Sequence, residues 1–394
     1  MEANQVNEML RERASLKFSI IGVGNAGNQL LNVAYKHGYD TFAINSSRMD
    51  LDHAVTIKEI PSYIVGREAR GAGKVRKKAV ELFKDTGEEL FTNIPYFSEM
   101  CDRSDVIVVS GATAGGTGSG ICPPLIGLLK QMYPSKIIMY VGILPRLTDS
   151  VAAQENSIGC LTEIFDCNVP YILADLNFYS GVPNDQAYDK IQQYIIDCLN
   201  VLSGKYLHTS SYGMIDENDM RMVIQEPGYL SIYNLSKVTQ DMLDKESMQS
   251  RMVNLIKRSP AVSIQFDKII KNMAAIVNIS EDLTDSSRAG DYDELSAAIG
   301  RPLAVYENYA VSQTTADGQM IIVLSGQTIP MNRIDKMIEI KRVAAETQKN
   351  QKRFESALSD AVSTSLTGDR SLPSGESLDS DTKAGIVAGF FNKN

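Results

Sequence analysis

The residues with the clearest chemical use are the glycines and hydroxyls of the segment 110–120, SGATAGGTGSG. This segment follows an apolar run of strand composition at 105–110 and precedes another apolar run at 121–129. A helix start carries unpaired backbone N–H groups and a partial positive charge, and glycine lets an anion come close to them. The segment therefore predicts a phosphate cradle, to which Thr117 and Ser119 add hydroxyl donors.

A second glycine-rich turn, GVGNAGNQ at 22–29, also joins an apolar strand at 18–23 to a helix. It matches GxGxxG, the dinucleotide fingerprint, which expects an acidic residue about 20 positions later to hold the ribose hydroxyls. The next strand, 41–44, is instead followed by NSSR at 45–48. Because an arginine there suits a 2′-phosphate, an NADP-dependent oxidoreductase is one alternative, although it leaves 110–120 without a role.

A third loop, RGAGK at 70–74, places a lysine beside two glycines. The Walker A loop requires GxxxxGK[ST], but here Glu68 replaces its first glycine and Val75 replaces its hydroxyl, so a Walker fold is excluded. Two readings remain for this loop. It brings backbone donors and a lysine to a terminal phosphate, or it is a solvated turn before a basic helix.

Strand-like and helix-like segments alternate as far as residue 175, with further strands at 136–144 and 169–174 and a helix at 154–165. This alternation predicts a parallel sheet covered by helices on both faces. Ligands of such sheets bind at the carboxyl ends of the strands. The three glycine loops are all expected at that edge.

The segment 185–202 then predicts a long central helix. One apolar stripe is formed along it, at spacings of three and four, by Tyr188, Ile191, Ile195, Leu199 and Leu202. Beyond this helix, the segment 213–221 places three acids within the four residues 216–219. Acidic runs commonly mark a solvated loop or a helix cap, and a catalytic loop is the alternative.

The pattern changes near residue 225. Helical segments are expected up to residue 258, followed by strands at 273–279, 303–311 and 320–324, which indicate a smaller α+β domain. The segment 332–366 contains no glycine or proline and predicts one continuous helix.

The far end of that helix resumes an apolar stripe at Phe354, Leu358 and Ala361, which is expected to pack on another subunit or to fray. The segment 368–383 has the composition of a linker, and it is followed by the apolar peptide AGIVAGFFNKN at 384–394. This arrangement suggests a docking motif for a partner protein.

The composition narrows the function classes. The 39 lysines and arginines stand against 48 aspartates and glutamates, and the net charge of −9 disfavours direct nucleic-acid binding by the body of the protein. No apolar segment is long enough to span a membrane, and the polar start lacks a secretory signal, so a cytosolic protein is expected. The five cysteines show no metal-ligand spacing and predict buried, reduced thiols without a protein-bound metal.

These motifs carry a family resemblance. The sequence GATAGGTGSG closely resembles the GGGTG[ST]G signature of the tubulin and FtsZ superfamily of GTPases. GVGNAGNQ looks like the first nucleotide loop of FtsZ, its AGNQ matches the tubulin version, and the glycines at 71–73 resemble the FtsZ loop that faces the γ-phosphate. The likeness covers about residues 17–340 and is specific in the first half.

The resemblance implies GTP or GDP as the ligand, with Mg²⁺ held mainly through the nucleotide. At the ribose and base it implies Asp149, either Asp175 or Asn177, Asp189, and Tyr188 as a stacking partner. The residues that it places around the phosphates are Gly24, Asn25, Ala26, Gly27, Asn28, Gln29, Asn45, Gly71, Ala72, Gly73, Lys74, Ala114, Gly115, Gly116, Thr117, Gly118 and Ser119.

The resemblance also gives the acids a role, since Asp216 and Asp219 match the two aspartates of the FtsZ motif NxDxxD. It implies that they act catalytically on the nucleotide of a neighbouring subunit in a head-to-tail homopolymer. Met214 stands where that motif has its asparagine, and Ala153 or Gln154 lies where FtsZ has an arginine beside the ribose. The final helix and tail resemble instead the divergent plasmid and bacteriophage members, of TubZ and PhuZ type, whose carboxy-terminal segments join subunits or recruit a DNA-bound adaptor.

The expected protein is thus an α/β GTPase that assembles into filaments and hydrolyses GTP to GDP and phosphate between subunits. It is expected in the cytoplasm of a bacterial or phage-infected cell, where it positions or segregates plasmid or phage DNA. A bacterial division FtsZ and a relative without hydrolysis are the alternatives within the fold. The expected segments are an extension (1–16), a GTP-binding domain (17–183), the central helix (184–203), the acidic loop with the second domain (204–331), a long helix (332–367) and a tail (368–394).

Overall fold

The structure is a computed structural model that describes residues 16–208, 213–261, 270–283, 292–312 and 317–367. The expectations for the extension and for the tail lie outside these residues, apart from Leu16. Contacts divide the chain into two compact units, Met1–Lys341 and Arg342–Asn394. The site described below lies in the first unit.

The strands of the described residues form one ten-stranded sheet in the order β3-β2-β1-β4-β5-β6-β7-β10-β8-β9. Strands β1 to β7 are parallel, β10 is antiparallel to both of its neighbours, and β8 and β9 are parallel. The strands are β1 (Phe18–Val23), β2 (Asp40–Asn45), β3 (Ser62–Ile64), β4 (Val106–Ala112), β5 (Ile137–Leu144), β6 (Pro170–Asp175), β7 (Gly228–Val238), β8 (Ile270–Ser280), β9 (Pro302–Ser312) and β10 (Gly318–Gln327).

Helices form most of the connections between the strands. They are α1 (Gly24–Lys36), α2 (Arg48–Ala54), α3 (Arg76–Thr86), α4 (Glu89–Thr92), α5 (Pro95–Arg103), α6 (Thr117–Met132), α7 (Val151–Asp166), α8 (Asn184–Leu202), α9 (Glu217–Gln225), α10 (Gln240–Leu243), α11 (Met248–Ile256), α12 (Asp293–Ile299) and α13 (Met331–Thr367), with a 3₁₀ turn at Leu176–Tyr179. The long helices predicted at 185–202 and 332–366 are confirmed as α8 and α13.

The parallel sheet is buried on both faces, as predicted. Successive residues of a strand point to opposite faces, so Ile20 and Ile21 of β1 enter different hydrophobic clusters. The first cluster includes Leu30 of α1 and Leu199 of α8, and the second includes Leu125 of α6. Two buried faces explain why these strands are continuous apolar runs.

The helical expectation for residues after 225 is wrong at β7. The segment GYLSIYNLSKV is a strand whose start pairs with β6 and whose length pairs with β10. Its aromatic and branched residues alternate between faces, with Leu230 and Ile232 in one cluster and Tyr229 in another. The predicted domain boundary at residue 204 falls within the compact unit Met1–Lys341.

Helix α8 runs across one face of the sheet. Its first turn follows the loop after β6, and its last turn reaches the amino end of β2, where Tyr39 Oη donates to Asn200 Oδ1 at 2.8 Å. Lys205 Nζ, just beyond α8, donates to the carbonyl of His37 at 3.0 Å. The chain after α8 therefore begins at the sheet edge opposite the glycine loops.

Candidate functional site

Two helix starts meet where β1 and β4 end, at the point where the strand order reverses. Helix α1 begins at Gly24 and α6 at Thr117, and neither has a side-chain cap or an acidic residue in its first turn. A Cβ on Gly24 would lie 2.9 Å from the backbone nitrogen of Gly118. Unpaired N–H donors from two helices therefore converge with only glycine between them, which fits a phosphate group.

Asn28 and Asn45 hold the first loop against the loop after β2. Asn28 Nδ2 donates to the carbonyls of Gly22 at 2.7 Å and Ile44 at 3.2 Å, and its Oδ1 accepts from Asn45 Nδ2 at 2.8 Å. Asn45 Oδ1 accepts from the backbone nitrogen of Ser46 at 2.8 Å. Both asparagines are buried, and these hydrogen bonds hold the two loops together at the edge of the cradle.

Ser46 is a residue that the sequence reasoning missed. Its hydroxyl lies 2.7 Å from the hydroxyl of Thr117 and joins the loop after β2 to the phosphate cradle. Its position directly after a strand at the ligand edge was the available signal. Ser119 differs from the expectation, because it is buried and its hydroxyl donates to the carbonyl of Gly115, just before α6.

The loop 70–74 lies beside the loop after β2. The backbone nitrogen of Gly71 donates to the carbonyl of Ser46 at 2.7 Å. Gly71 and Gly73 have φ angles of +81° and +60°, and Lys74 follows at +61° with its side chain exposed. A lysine in the left-handed region is uncommon, so the surrounding contacts hold this turn against its local preference.

The same loop also contacts the phosphate cradle directly. A Cβ on Gly116 would lie 2.9 Å from Lys74 Cα, so only glycine permits this approach. Asn156 of α7 donates its side-chain amide to the carbonyls of Lys74 and Ala114, both at 3.0 Å. The structure thus brings all three glycine loops together, as the sequence predicted.

The loop after β5 and the first turn of α8 border the same edge. Asp149 Oδ2 accepts from the backbone nitrogen of Arg146 at 2.9 Å. Burial raises the pKa of the half-buried Tyr188, the Asp149 carboxylate raises it further and Arg146 opposes them. Tyr188 is therefore a neutral ring beside Asp149, while Asp189 is exposed on the next position of α8.

Asp175 and Asn177 have different surroundings. Asp175 Oδ2 accepts from Arg333 Nε at 2.8 Å, and its Oδ1 accepts from the backbone nitrogen of Asn177 at 2.9 Å. Asn177 Oδ1 accepts from the backbone nitrogen of Leu147 at 3.1 Å. Since Asp175 is fully engaged, Asn177 is the better placed of the two candidates for contact with a base.

The predicted residues on the phosphate and base sides thus occupy loops or first turns at one edge of the sheet. The remaining residues predicted at the phosphates are the exposed Asn25, the half-buried Gln29, and the buried Ala26, Gly27 and Ala72.

The acidic residues lie at the opposite edge. Asp216 caps α9, with its Oδ1 accepting from the backbone nitrogen of Asp219 at 2.9 Å, and Asp219 Oδ2 accepts from the backbone nitrogen of Asp216 at 3.1 Å. Arg221, on the next turn, pairs at 3.2 Å with Asp105, which immediately precedes β4. The acids therefore lie near the start of the strand whose far end leads into the phosphate cradle.

Residues 17–175 match the family model described as Tubulin/FtsZ family, GTPase domain. The chain contains a tubulin/FtsZ GTPase domain. The tubulin-like protein TubZ of Clostridium botulinum C phage is 26% identical over 332 residues, covering 83% of this chain and 84% of that protein. The tubulin-like protein CetZ of Pyrococcus abyssi is 22% identical and covers 87% and 94%. The structure of GDP-form protofilaments of Bacillus thuringiensis serovar israelensis TubZ has a TM-score of 0.70 at 14% identity, covering 90% of this chain and 99% of that one.

The GTPase domain gives the phosphate cradle its substrate. The nucleotide is GTP or GDP and the reaction is GTP hydrolysis. The NADP-dependent oxidoreductase alternative left the segment 110–120 without a role. The GTPase domain includes that segment and the loop 70–74 that converges on it, so the NADP alternative is not supported.

The GTPase domain and the remaining described residues contain no helix long and apolar enough to cross a membrane. Across the same residues, no group of three or more metal-ligating side chains comes together.

Proposed function

We propose that this protein is a filament-forming GTPase in which subunits add head to tail and each GTP is hydrolysed between two subunits. The observation that carries the proposal is the placement of the two halves of the site. The phosphate cradle follows the carboxyl end of β4, whereas Arg221 links the acidic helix α9 to Asp105 at the amino end of the same strand.

The length of β4 sets the separation of the two halves. Seven residues at about 3.3 Å each span about 20 Å, which is too far for Asp216 or Asp219 to reach a phosphate of their own subunit. A second subunit stacked along the strand direction brings its acids to the open cradle. The site is therefore complete only in the assembly.

The two ends of the molecule also carry apolar side chains suited to such stacking. Met49 and Phe178 are exposed at the cradle edge, and Met214 and Leu303 are exposed towards the acidic edge. Different surfaces at opposite ends make a heterologous contact, which extends into an open filament when its rotation does not close a ring. The protofilament form of the Bacillus thuringiensis TubZ structure supports this arrangement.

The acids are held in a suitable orientation for the reaction. In the capping pair, each carboxylate uses one oxygen on a backbone N–H and keeps the other for a water molecule. That water would attack the terminal phosphate, while Mg²⁺, held mainly through the nucleotide, and the helix N–H groups would offset the developing charge.

The first test is the dependence of GTPase rate on protein concentration, measured as phosphate release beside light scattering. The rate per subunit should rise steeply as filaments form, and negative-stain images with GTP and with a slowly hydrolysed analogue should show them. A rate per subunit that stays constant through the assembly transition would rule out the shared site.

The second test substitutes the acids. Asp216→Asn and Asp219→Asn should assemble with GTP yet lower turnover by about 10²- to 10⁴-fold, the usual contribution of a positioned acid or base. Asparagine at 216 keeps the helix cap, so the charge is the only loss. Glu217→Gln is the matched control, because Glu217 lies between the two acids and pairs with Arg221. Lost assembly with normal hydrolysis would contradict the assignment.

We also propose that the filaments act in a bacterial or phage-infected cytoplasm to position or segregate plasmid or phage DNA through a DNA-bound adaptor. Support comes from the similarity to the phage TubZ and from the net charge of −9, which disfavours direct contact with DNA. The apolar peptide 384–394 is the proposed adaptor-binding segment.

Removing residues 368–394 tests the role of the tail. GTP binding and assembly should stay within about twofold of the full chain, while the proposed DNA-bound adaptor protein should no longer co-sediment with filaments. Equal co-sedimentation with and without the tail would contradict the proposal.

A further inference from the structure

The buried guanidinium of Arg333 joins two loops of the nucleotide site. It lies in the first turn of α13 and is only 6% exposed. Its Nε and one terminal nitrogen donate to the two carboxylate oxygens of Asp175, at 2.8 and 3.2 Å. The same terminal nitrogen donates to the carbonyl of Pro145. The loops after β5 and β6 are therefore fixed to one side chain.

The fixed carboxylate of Asp175 also holds Asn177, the other residue expected at the base. Asp175 Oδ1 accepts from the backbone nitrogen of Asn177 at 2.9 Å, and Asn177 Oδ1 accepts from Leu147 at 3.1 Å. With its oxygen used in this way, the half-buried Asn177 keeps its amide nitrogen free of protein partners among the described residues. The amide therefore presents N–H donors to the site, an orientation assigned from the hydrogen-bond network.

We propose that Arg333 is a positioning residue for recognition of the nucleobase and acts through Asp175 and Asn177. The donor that Asn177 presents suits the 6-oxo group of guanine and meets the 6-amino group of adenine donor to donor. The proposal rests on the function proposed above and adds a source of base selectivity outside the GTPase motif, in the carboxy-terminal helix.

The geometry requires arginine and not merely a cation. The planar guanidinium reaches both oxygens of Asp175 and the carbonyl of Pro145 at once, whereas a lysine ammonium is a point charge on a flexible chain. Arg333→Lys thus keeps the charge balance of the buried pair and loosens the orientation that Asn177 depends on.

A double-mutant cycle on the full-length chain tests this dependence. Arg333→Lys and Asn177→Ala should each weaken GTP binding by about tenfold, the usual scale for one hydrogen bond in a partly buried site. The double variant should bind no more than about twofold more weakly than Asn177→Ala, because residues acting through one contact are not additive. Lys336→Ala, at an exposed position of the same helix, is the control and should bind like the parent.

Base selectivity supplies the second readout, measured by competition with GTP, ITP and ATP. ITP keeps the 6-oxo group and lacks the 2-amino group, so it should lose affinity in parallel with GTP when Arg333 is changed. The preference for GTP over ATP should fall by about tenfold in Arg333→Lys. Should that variant fail to fold, Asp175→Asn with Arg333→Gln removes both buried charges together and should show the same loss of preference.

Additive effects in the cycle, or an unchanged preference for GTP over ATP, would overturn the role of Arg333 while leaving the GTPase assignment intact. Absence of guanine-nucleotide binding by the parent chain would overturn the assignment itself, and the proposal with it.

Discussion

Gly116→Ala is a sharp test of how the glycine loops cooperate. The backbone angles of Gly116, φ −72° and ψ −56°, suit alanine, so the substitution introduces no backbone strain. The new Cβ would instead lie 2.9 Å from Lys74 Cα and 3.0 Å from the backbone nitrogen of Val75. Because ordinary contact begins at 3.4 Å, the loop 70–74 must withdraw by about 3.4 − 2.9 = 0.5 Å.

The expected magnitude follows from overpacking. Added methyl groups in packed sites cost about 1–3 kcal/mol, and 1.4 kcal/mol corresponds to about a tenfold change in a binding constant. The loop 70–74 is the one expected at the γ-phosphate, so GTP affinity should fall by about tenfold. GDP, which lacks that phosphate, should be affected by less than about threefold if the loop moves and the cradle does not.

The measurement is titration with fluorescent GTP and GDP analogues below the concentration at which filaments form. Gly127→Ala, within α6 and outside the three glycine loops, is the matched control, since a Cβ there meets nothing within 4 Å. It should leave both affinities unchanged. If Gly116→Ala binds GTP as tightly as Gly127→Ala does, the contact between the two loops is not needed for binding and the reasoning is refuted.

Three further predictions concern the surrounding framework. Asn28→Ala should lower the free energy of unfolding by about 1–3 kcal/mol in urea, because it leaves the buried carbonyls of Gly22 and Ile44 without their donor; an unchanged midpoint would contradict this. Burial raises the pKa of Tyr39 to about 12, above its unfolded value near 10, so the unfolded state ionises first as the pH rises. The stability contributed by the neutral, folded side chain is therefore complete below pH 10 and is lost between pH 10 and 12. It amounts to about 3 kcal/mol at most, and the difference in urea stability between parent and Tyr39→Phe should shrink over that range. Thiol alkylation at pH 8 should modify the half-buried Cys167 first, because burial raises the pKa of Cys160 to about 12, and rapid labelling of Cys160 in the native protein would oppose the structure.

The phosphate cradle could be predicted from the sequence because glycines between a strand and a helix indicate a particular local geometry. A parallel sheet then brings such loops to one edge whatever the details of packing. Hydrogen-bond partners are set by tertiary structure, and these escaped prediction. Asn45 and Ser119 have the residue types of ligand contacts, but Asn28 and the carbonyl of Gly115 occupy their polar groups.

The ambiguity between Asp175 and Asn177 had the same origin. Arg333 lies 158 residues after Asp175, so no local sequence pattern predicts that it donates hydrogen bonds to the Asp175 carboxylate. The strand β7 was missed for a related reason. Its pairing with β6 at one end and β10 along its length supplies the tertiary support that a short mixed pattern of apolar and polar residues lacks alone.

The two readings of the acidic loop, helix cap and catalytic loop, are compatible. A cap ordinarily explains an Asp-x-x-Asp sequence completely, and Asp216 and Asp219 do form one. Yet capping alone does not require aspartate at both ends of the box, because serine at the first position and glutamate at the second would serve.

A capping pair fixes two carboxylates rigidly at a helix start and leaves an oxygen of each facing outward. Such rigidity is what a catalytic half-site needs when its substrate arrives on another molecule, because the acids must already be oriented before the subunits meet. In the proposed shared site the cap would hold the acids in this orientation, and Asp216→Asn, which keeps the cap and removes the charge, separates the two roles.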